Sequence, residues 1–76
     1  MPGDLTIYGR ANCPQCHATR RKADALGIAY RYVDLDQDPE AEHRLQMEGH
    51  RSLPVIEAGD LIWNGFRPDK LEEFSA

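Results

Sequence analysis

Apolar residues fall along this chain in short runs that predict seven elements. Leu5-Thr6-Ile7-Tyr8 is short, β-branched and aromatic, and it stops at Gly9, which predicts a buried first strand. Arg10-Ala11-Asn12 makes the loop that follows. Cys13 then falls at a helix N-cap and Pro14 at the first helical position, where its missing N–H costs nothing. This helix is predicted to run to about Leu26, with Cys16, Ala23 and Leu26 on one side and Arg20, Arg21 and Lys22 in solvent. Gly27 closes it. The inward face is small and weakly apolar, so the helix depends on packing. Tyr30 to Leu35 alternates with a period of two and reads as a second strand, at an edge because one face is polar. Strand, helix and strand in this span form a βαβ unit, with parallel strands and a right-handed crossover. Asp38 is a good N-cap and Pro39 a good first residue for a helix to about Glu48, which Gly49 stops. Its acidic start and later Arg44 suit the helix dipole. After the loop His50-Arg51-Ser52, Leu53 to Glu57 and Leu61 to Trp63 flank Ala58-Gly59-Asp60 as a hairpin. Pro68 and Asp69 open a last helix, Asp69 to Phe74. The order is βαβαββα, an α/β chain whose residues 1–76 make one domain.

Composition narrows the class. At 76 residues the chain buries only roughly 60% of its unfolded surface. With 41% apolar and 29% charged residues it belongs with folded chains, not disordered ones. A net charge of −4 without a long basic run argues against nucleic acid as partner. No apolar run approaches the roughly 20 residues of a membrane span. Met1-Pro2-Gly3-Asp4 lacks the charged start and apolar core of a secretory leader, and two cysteines fall far below a secreted disulfide scaffold. A cytoplasmic monomer is expected.

The chemistry sits in Cys13-Pro14-Gln15-Cys16, which holds both cysteines of the chain. A pair so close can cycle between dithiol and disulfide without large backbone movement. As a staple it is poor, because closing so short a loop removes little entropy from the unfolded chain. C-x-x-C beside a βαβ pattern reads as a thioredoxin-like redox motif. Exchange needs a thiolate, a route of attack and a second thiol to resolve the mixed disulfide. Cys13, at the helix N-terminus, is the expected nucleophile, with a thiol pKa below the usual value of about 8.5. Cys16, one turn inside, is the expected resolving thiol. Half of a zinc site is the competing reading. It needs two more ligands, and His43 and His50 lie outside the usual H-x₃₋₅-H spacing. His17, His43 and His50 are therefore expected in solvent, and no metal is expected.

Further residues border this motif. Arg10 can lower the thiol pKa, steer an acidic partner tail or simply be a solvated loop charge, and the sequence leaves these open. Tyr8 and Gln15 are expected near the site. Pro54 needs a reason, since proline cannot feed a central ladder. Trp63 is read as core. Phe66, beside Gly65, is read as an exposed docking surface and Arg67 as a bridge between loops.

Cys13-Pro14-Gln15-Cys16, Leu53-Pro54-Val55 and Trp63-Asn64-Gly65-Phe66-Arg67-Pro68-Asp69 together resemble the glutaredoxin-like NrdH redoxins, in the right order over nearly the whole chain. The W-x-G-F-R-P-D segment is the specific part. Pro14 instead matches the C-P-Y-C of many glutaredoxins, and Asn64 stands where such proteins more often have Ser. The resemblance implies a thioredoxin fold, a four-stranded mixed sheet flanked by three helices. It implies a dithiol carrier with no bound cofactor, which takes electrons from NADPH through the flavoprotein thioredoxin reductase. It implies class Ib ribonucleotide reductase as the acceptor. It also implies a cis bond at Leu53–Pro54, which turns the Leu53 backbone toward an incoming peptide that pairs like an added strand. Glutaredoxins hold a glutathione carboxylate at a helix N-terminus after a Gly-Gly pair. Here Pro68 offers no N–H and Phe66 fills the space of a glycine, so glutathione is expected to bind poorly, although Arg67 can pair with a carboxylate. A potential of about −270 to −200 mV is expected. A glutathione-linked glutaredoxin and a zinc-holding binding module are the alternatives.

Overall fold

The computed structural model describes residues 5–75. Residues 1–4 and 76, on which the reading of the leader and the outer ends of the expected domain fall, lie outside the described residues. Seven elements follow in the expected order: β1 (Leu5–Gly9), α1 (Pro14–Ala25), β2 (Tyr30–Asp34), α2 (Pro39–Met47), β3 (Val55–Ala58), β4 (Leu61–Asn64) and α3 (Pro68–Ser75). The strands form one sheet in the order β2-β1-β3-β4. β1 and β2 are parallel, as a helical crossover requires. β3 runs antiparallel to both β1 and β4, which makes the sheet mixed.

Alternation along β1 splits the core into two layers. Leu5 and Ile7 face the side of α1 and α3, where they join Ala23, Ile28, Ile56, Ala58, Trp63 and Leu71. Tyr8 faces the other side and packs with Leu35, Leu45 and Val55, beneath α2. The helices stop where glycine allows. After α1, Gly27 takes a φ of 72°, its N–H donates to Asp24 O, and Ile28 N–H donates to Ala23 O. After α2, Gly49 takes a φ of 91°, with Gly49 N–H to Gln46 O and His50 N–H to Leu45 O. Both are Schellman ends. At the start of α2, the Asp38 side chain accepts from Ala41 N–H at 3.1 Å.

Several boundaries differ from the expectation. β3 starts at Val55 rather than Leu53, because Pro54 has no N–H for the ladder. Ala58 is the last paired residue of β3, opposite Leu61, so the hairpin turn is the two residues Gly59-Asp60. β2 ends at Asp34, and Leu35 lies beyond it, buried beneath α2. α3 begins at Pro68, one residue early. No helix among the described residues is long and apolar enough to cross a membrane.

Candidate active site

β1 feeds the site. Its last residue, Gly9, ends against the first turn of α1, and a three-residue loop then carries the chain to Cys13. Cys13 is the N-cap of α1, in extended conformation with φ −121° and ψ 101°. Its Sγ accepts from Cys16 N–H at 3.1 Å, taking the place of the oxygen that usually caps a helix. The two cysteines are joined in a disulfide with a Cα–Cα distance of 5.2 Å. The first turn of α1 holds no acidic residue, so nothing there offsets the positive end of the helix dipole. Cys13 is half-buried, whereas Cys16 is 0% exposed. A chemical asymmetry follows: one sulfur can be reached and lies at the positive end of a helix, while the other is shielded and one bond away.

The shielding depends on Gly9. A Cβ at this position would stand 2.7 Å from Cys16 Sγ, 2.9 Å from Cys16 Cβ and 2.8 Å from the Tyr32 hydroxyl oxygen. Cys16 therefore packs directly on the backbone of β1. Tyr32 closes the same space from β2, and its ring lies under the Arg20 guanidinium, 4.0 Å from the ring centroid. Sequence reading took Gly9 only as the end of a strand and gave Tyr32 no role.

Three backbone segments meet at the site. The Leu53–Pro54 peptide is cis, and Pro54 is buried. Pro54 O accepts from Gly65 N–H at 2.8 Å, and Gln15 Oε1 accepts from Phe66 N–H at 3.1 Å. Gln15 thus ties the C-x-x-C turn to the turn before α3, which in turn holds the proline loop. Leu53 is half-buried against the cluster under α2. Asn64 braces the same loop, donating to Ser52 O at 3.1 Å and to His50 Nδ1 at 3.2 Å. Nothing in the spacing of the sequence signalled this His50–Asn64 link, because it joins residues 14 apart across a loop.

Other expected site residues lie elsewhere. Arg10 pairs with both Asp36 and Glu42, so its charge is neutralised within the fold rather than directed at Cys13. Tyr8 does not border the cysteines: it faces the α2 side, donates to Glu57 Oε1 at 2.9 Å and accepts from Arg44 at 2.8 Å. Burial raises its hydroxyl pKa above the ordinary value, helped by the hydrogen bond to Glu57. Arg67 does not bridge loops; it pairs with Asp69 at 2.9 Å, within its own segment. That pairing holds the Asp69 carboxyl below the usual carboxylate range. Phe66 is half-buried rather than fully exposed, and Trp63 lies in the core as expected. His43 is exposed as expected, whereas His17 and His50 are half-buried and hydrogen-bonded within the fold. His17 donates from Nε2 to Ala11 O at 2.5 Å, and His50 is the partner of Asn64. No group of three His, Cys, Asp or Glu among the described residues is placed to hold a metal.

This geometry suits thiol–disulfide exchange. The comparisons with known proteins point to the same chemistry. The Glutaredoxin family model matches residues 5–63. The chain is 49% identical to the glutaredoxin-like protein NrdH of Salmonella typhimurium over 67 residues, covering 88% of this chain and 83% of that protein. It is 31% identical to the glutaredoxin-like protein NrdH of Lactococcus lactis, over 93% of this chain and 99% of that one. The solved structure of NrdH-redoxin from Escherichia coli, described for its thioredoxin-like activity profile, superposes with a TM-score of 0.88. That match covers 91% of each chain at 46% identity.

Proposed function

This chain belongs to the glutaredoxin family, in its NrdH-redoxin branch, with a thioredoxin fold and a Cys13–Cys16 dithiol–disulfide redox pair, and from that premise we propose its reductant and its acceptor. The reductant is thioredoxin reductase, which supplies electrons from NADPH through its flavin. The acceptor is class Ib ribonucleotide reductase, and the carrier works as a monomer in the cytoplasm. In the forward direction the Cys13 thiolate attacks the acceptor disulfide. Cys16 then displaces the reduced acceptor and closes the Cys13–Cys16 bond. The acceptor peptide lies along Leu53 and Pro54 as an added strand, with Gly65 and Phe66 at its side.

The observation that carries a protein reductant, rather than glutathione, is the turn before α3. A glutathione carboxylate needs open N–H groups at a helix start. Here the Phe66 N–H is already taken by Gln15, Pro68 has none, and the Arg67 guanidinium is held by Asp69. The thioredoxin-like activity profile described for the Escherichia coli protein supports the same reading.

A coupled assay tests it. NADPH oxidation through thioredoxin reductase should be fast with the chain and a disulfide substrate. Replacing that reductase by glutathione and glutathione reductase should slow turnover by at least tenfold. Cys13→Ser should abolish turnover with an unchanged circular dichroism spectrum. Rapid reduction by glutathione alone overturns the proposed reductant and makes the chain a glutathione-linked glutaredoxin. Stoichiometric zinc in the purified protein favours a metal-holding module instead.

A further inference from the structure

Resolution places a demand on Cys16 that the C-x-x-C motif alone does not meet. Its sulfur must become an anion to attack, yet it is 0% exposed, and loss of solvation holds a buried thiol neutral. The helix terminus helps the wrong sulfur, since the Cys16 N–H points at Cys13 Sγ. The sheet brings a hydroxyl close to Cys16. Cys16 Sγ and the Tyr32 oxygen lie 2.7 and 2.8 Å from the one point where a Gly9 Cβ would stand. They are therefore neighbours across the Gly9 backbone, at most the sum of those two distances apart, and in the disulfide form no hydrogen bond joins them.

We infer that the Tyr32 hydroxyl donates a hydrogen bond to the Cys16 thiolate as it forms, so that Tyr32 is a positioning and anion-stabilising residue of the resolving step. The inference rests on the dithiol-carrier reading. In the mixed disulfide, Cys13 Sγ is bonded to the acceptor sulfur. Cys16 loses its proton to water, and its electron pair attacks Cys13 Sγ. The bond from Cys13 to the acceptor breaks, and the acceptor sulfur leaves with the pair and takes a proton from solvent. The cysteine pair is oxidised by two electrons and the acceptor is reduced by two. Tyr32 keeps its own proton throughout.

The surroundings of Tyr32 suit a permanent donor. Burial raises its hydroxyl pKa above the ordinary tyrosine value, and Asp34 from β2 and Asp36 from the following turn push the same way. Arg20 from α1 opposes them while fixing the ring in place. Asp36 is itself paired with Arg10, and on this face β1 presents only Leu5, Ile7 and Gly9, none of which titrates.

The test separates the two sulfurs in time. Reduced protein is mixed with one equivalent of 5,5′-dithiobis(2-nitrobenzoate) in a stopped-flow instrument. Attack by Cys13 releases the first chromophore, and attack by Cys16 on the mixed disulfide releases the second. Tyr32→Phe keeps the ring and the Arg20 stack. It should leave the first phase unchanged, slow the second about tenfold, and move the pH midpoint of the second phase upward by about one unit, as loss of a hydrogen bond to a charged group implies. Tyr32→Met, which keeps bulk without a hydroxyl, should do the same. A second phase unchanged in rate and midpoint in either variant overturns the inference, and so does an equal slowing of both phases. A wild-type protein with no second phase at all overturns the carrier reading itself.

Discussion

The tightest constraint near the cysteines is a methyl group that is not there. Any side chain at position 9 places its Cβ within 2.9 Å of two Cys16 atoms and the Tyr32 oxygen. Cys16 belongs to a helix packed on the sheet and Tyr32 to a paired strand, so none of these atoms can move away cheaply. Gly9→Ala should therefore lower stability by about 1–3 kcal/mol, the usual cost of overpacking a core. It should also slow disulfide formation, because Cys16 has to shift to make room. Urea unfolding and the rate of air or glutathione-disulfide oxidation measure the two effects. A variant as stable and as quickly oxidised as the wild type would mean that α1 slides on the sheet more freely than its contacts indicate. Gly9, Tyr32 and the Gln15–Phe66 bond share one reason for escaping the sequence. Each matters through a neighbour brought close by the fold, and residues 15 and 66 are 51 positions apart. Cys13 and Cys16 were legible because their chemistry is local, set by two residues of spacing and one helix start.

Among the elements, α2 shows how a polar cluster can fasten a helix to a sheet. Tyr8 of β1 donates to Glu57 of β3 and accepts from Arg44 of α2, whose guanidinium also lies over the Tyr8 ring, 5.4 Å from its centroid. Burial and the Glu57 bond raise the Tyr8 pKa in the folded protein. The unfolded chain then ionises first as the solution becomes alkaline. This contribution to stability is complete below the ordinary tyrosine value of about 10 and is lost as pH rises through the folded value. Stability measured by urea unfolding should fall above pH 10, and Tyr8→Phe should make that fall shallower while Tyr32 still contributes its part. An identical alkaline slope in the variant would show that this clasp carries no proton linkage. The element boundaries tell a similar story of local against distant causes. Capping residues and helix-stopping glycines predicted α1 and α2 to within a residue or two, because caps act over a single turn. The start of β3 and the hairpin turn were misplaced, since ladder pairing decides them. An apolar Leu53 reads as strand until its neighbour is seen to lack the N–H that pairing needs. Arg10 was left open for a related reason, since its partners Asp36 and Glu42 are brought to it only by folding. Arg67 was read as a bridge, but its partner Asp69 lies two residues on, and the bridging residues are Gln15 and Asn64.

At the scale of the whole molecule, a carrier has to present one frame in two redox states. A domain of 76 residues has a stability of about 4–11 kcal/mol by general experience. The Cys13–Cys16 bond closes a loop of only three residues in separation, for which chain entropy gives about 2 kcal/mol at most. The stability of the domain as a whole exceeds what the disulfide adds, so reduction should not unfold the chain. The site also has ties that do not use the sulfur–sulfur bond: His17 to Ala11 O, Thr19 Oγ1 to Gln15 O at 2.8 Å, Gln15 to Phe66 N–H, and Gly65 N–H to Pro54 O. None of these ties involves a cysteine sulfur, and the last two join the C-x-x-C turn to the turn before α3 and that turn to the proline loop, so the frame is expected to persist when the cysteines are reduced. Urea midpoints of the oxidised protein and of the protein in excess dithiothreitol should correspond to stabilities within about 2 kcal/mol of each other. Amide chemical-shift changes between the two states should be confined to the end of β1, the first turn of α1, the proline loop and the turn at Gly65. Shifts spread through α2 and β4, or a reduced form that melts far earlier, would mean that the disulfide itself supports the fold. In that case a partner selecting between the two states would be reading global order rather than the state of two sulfurs.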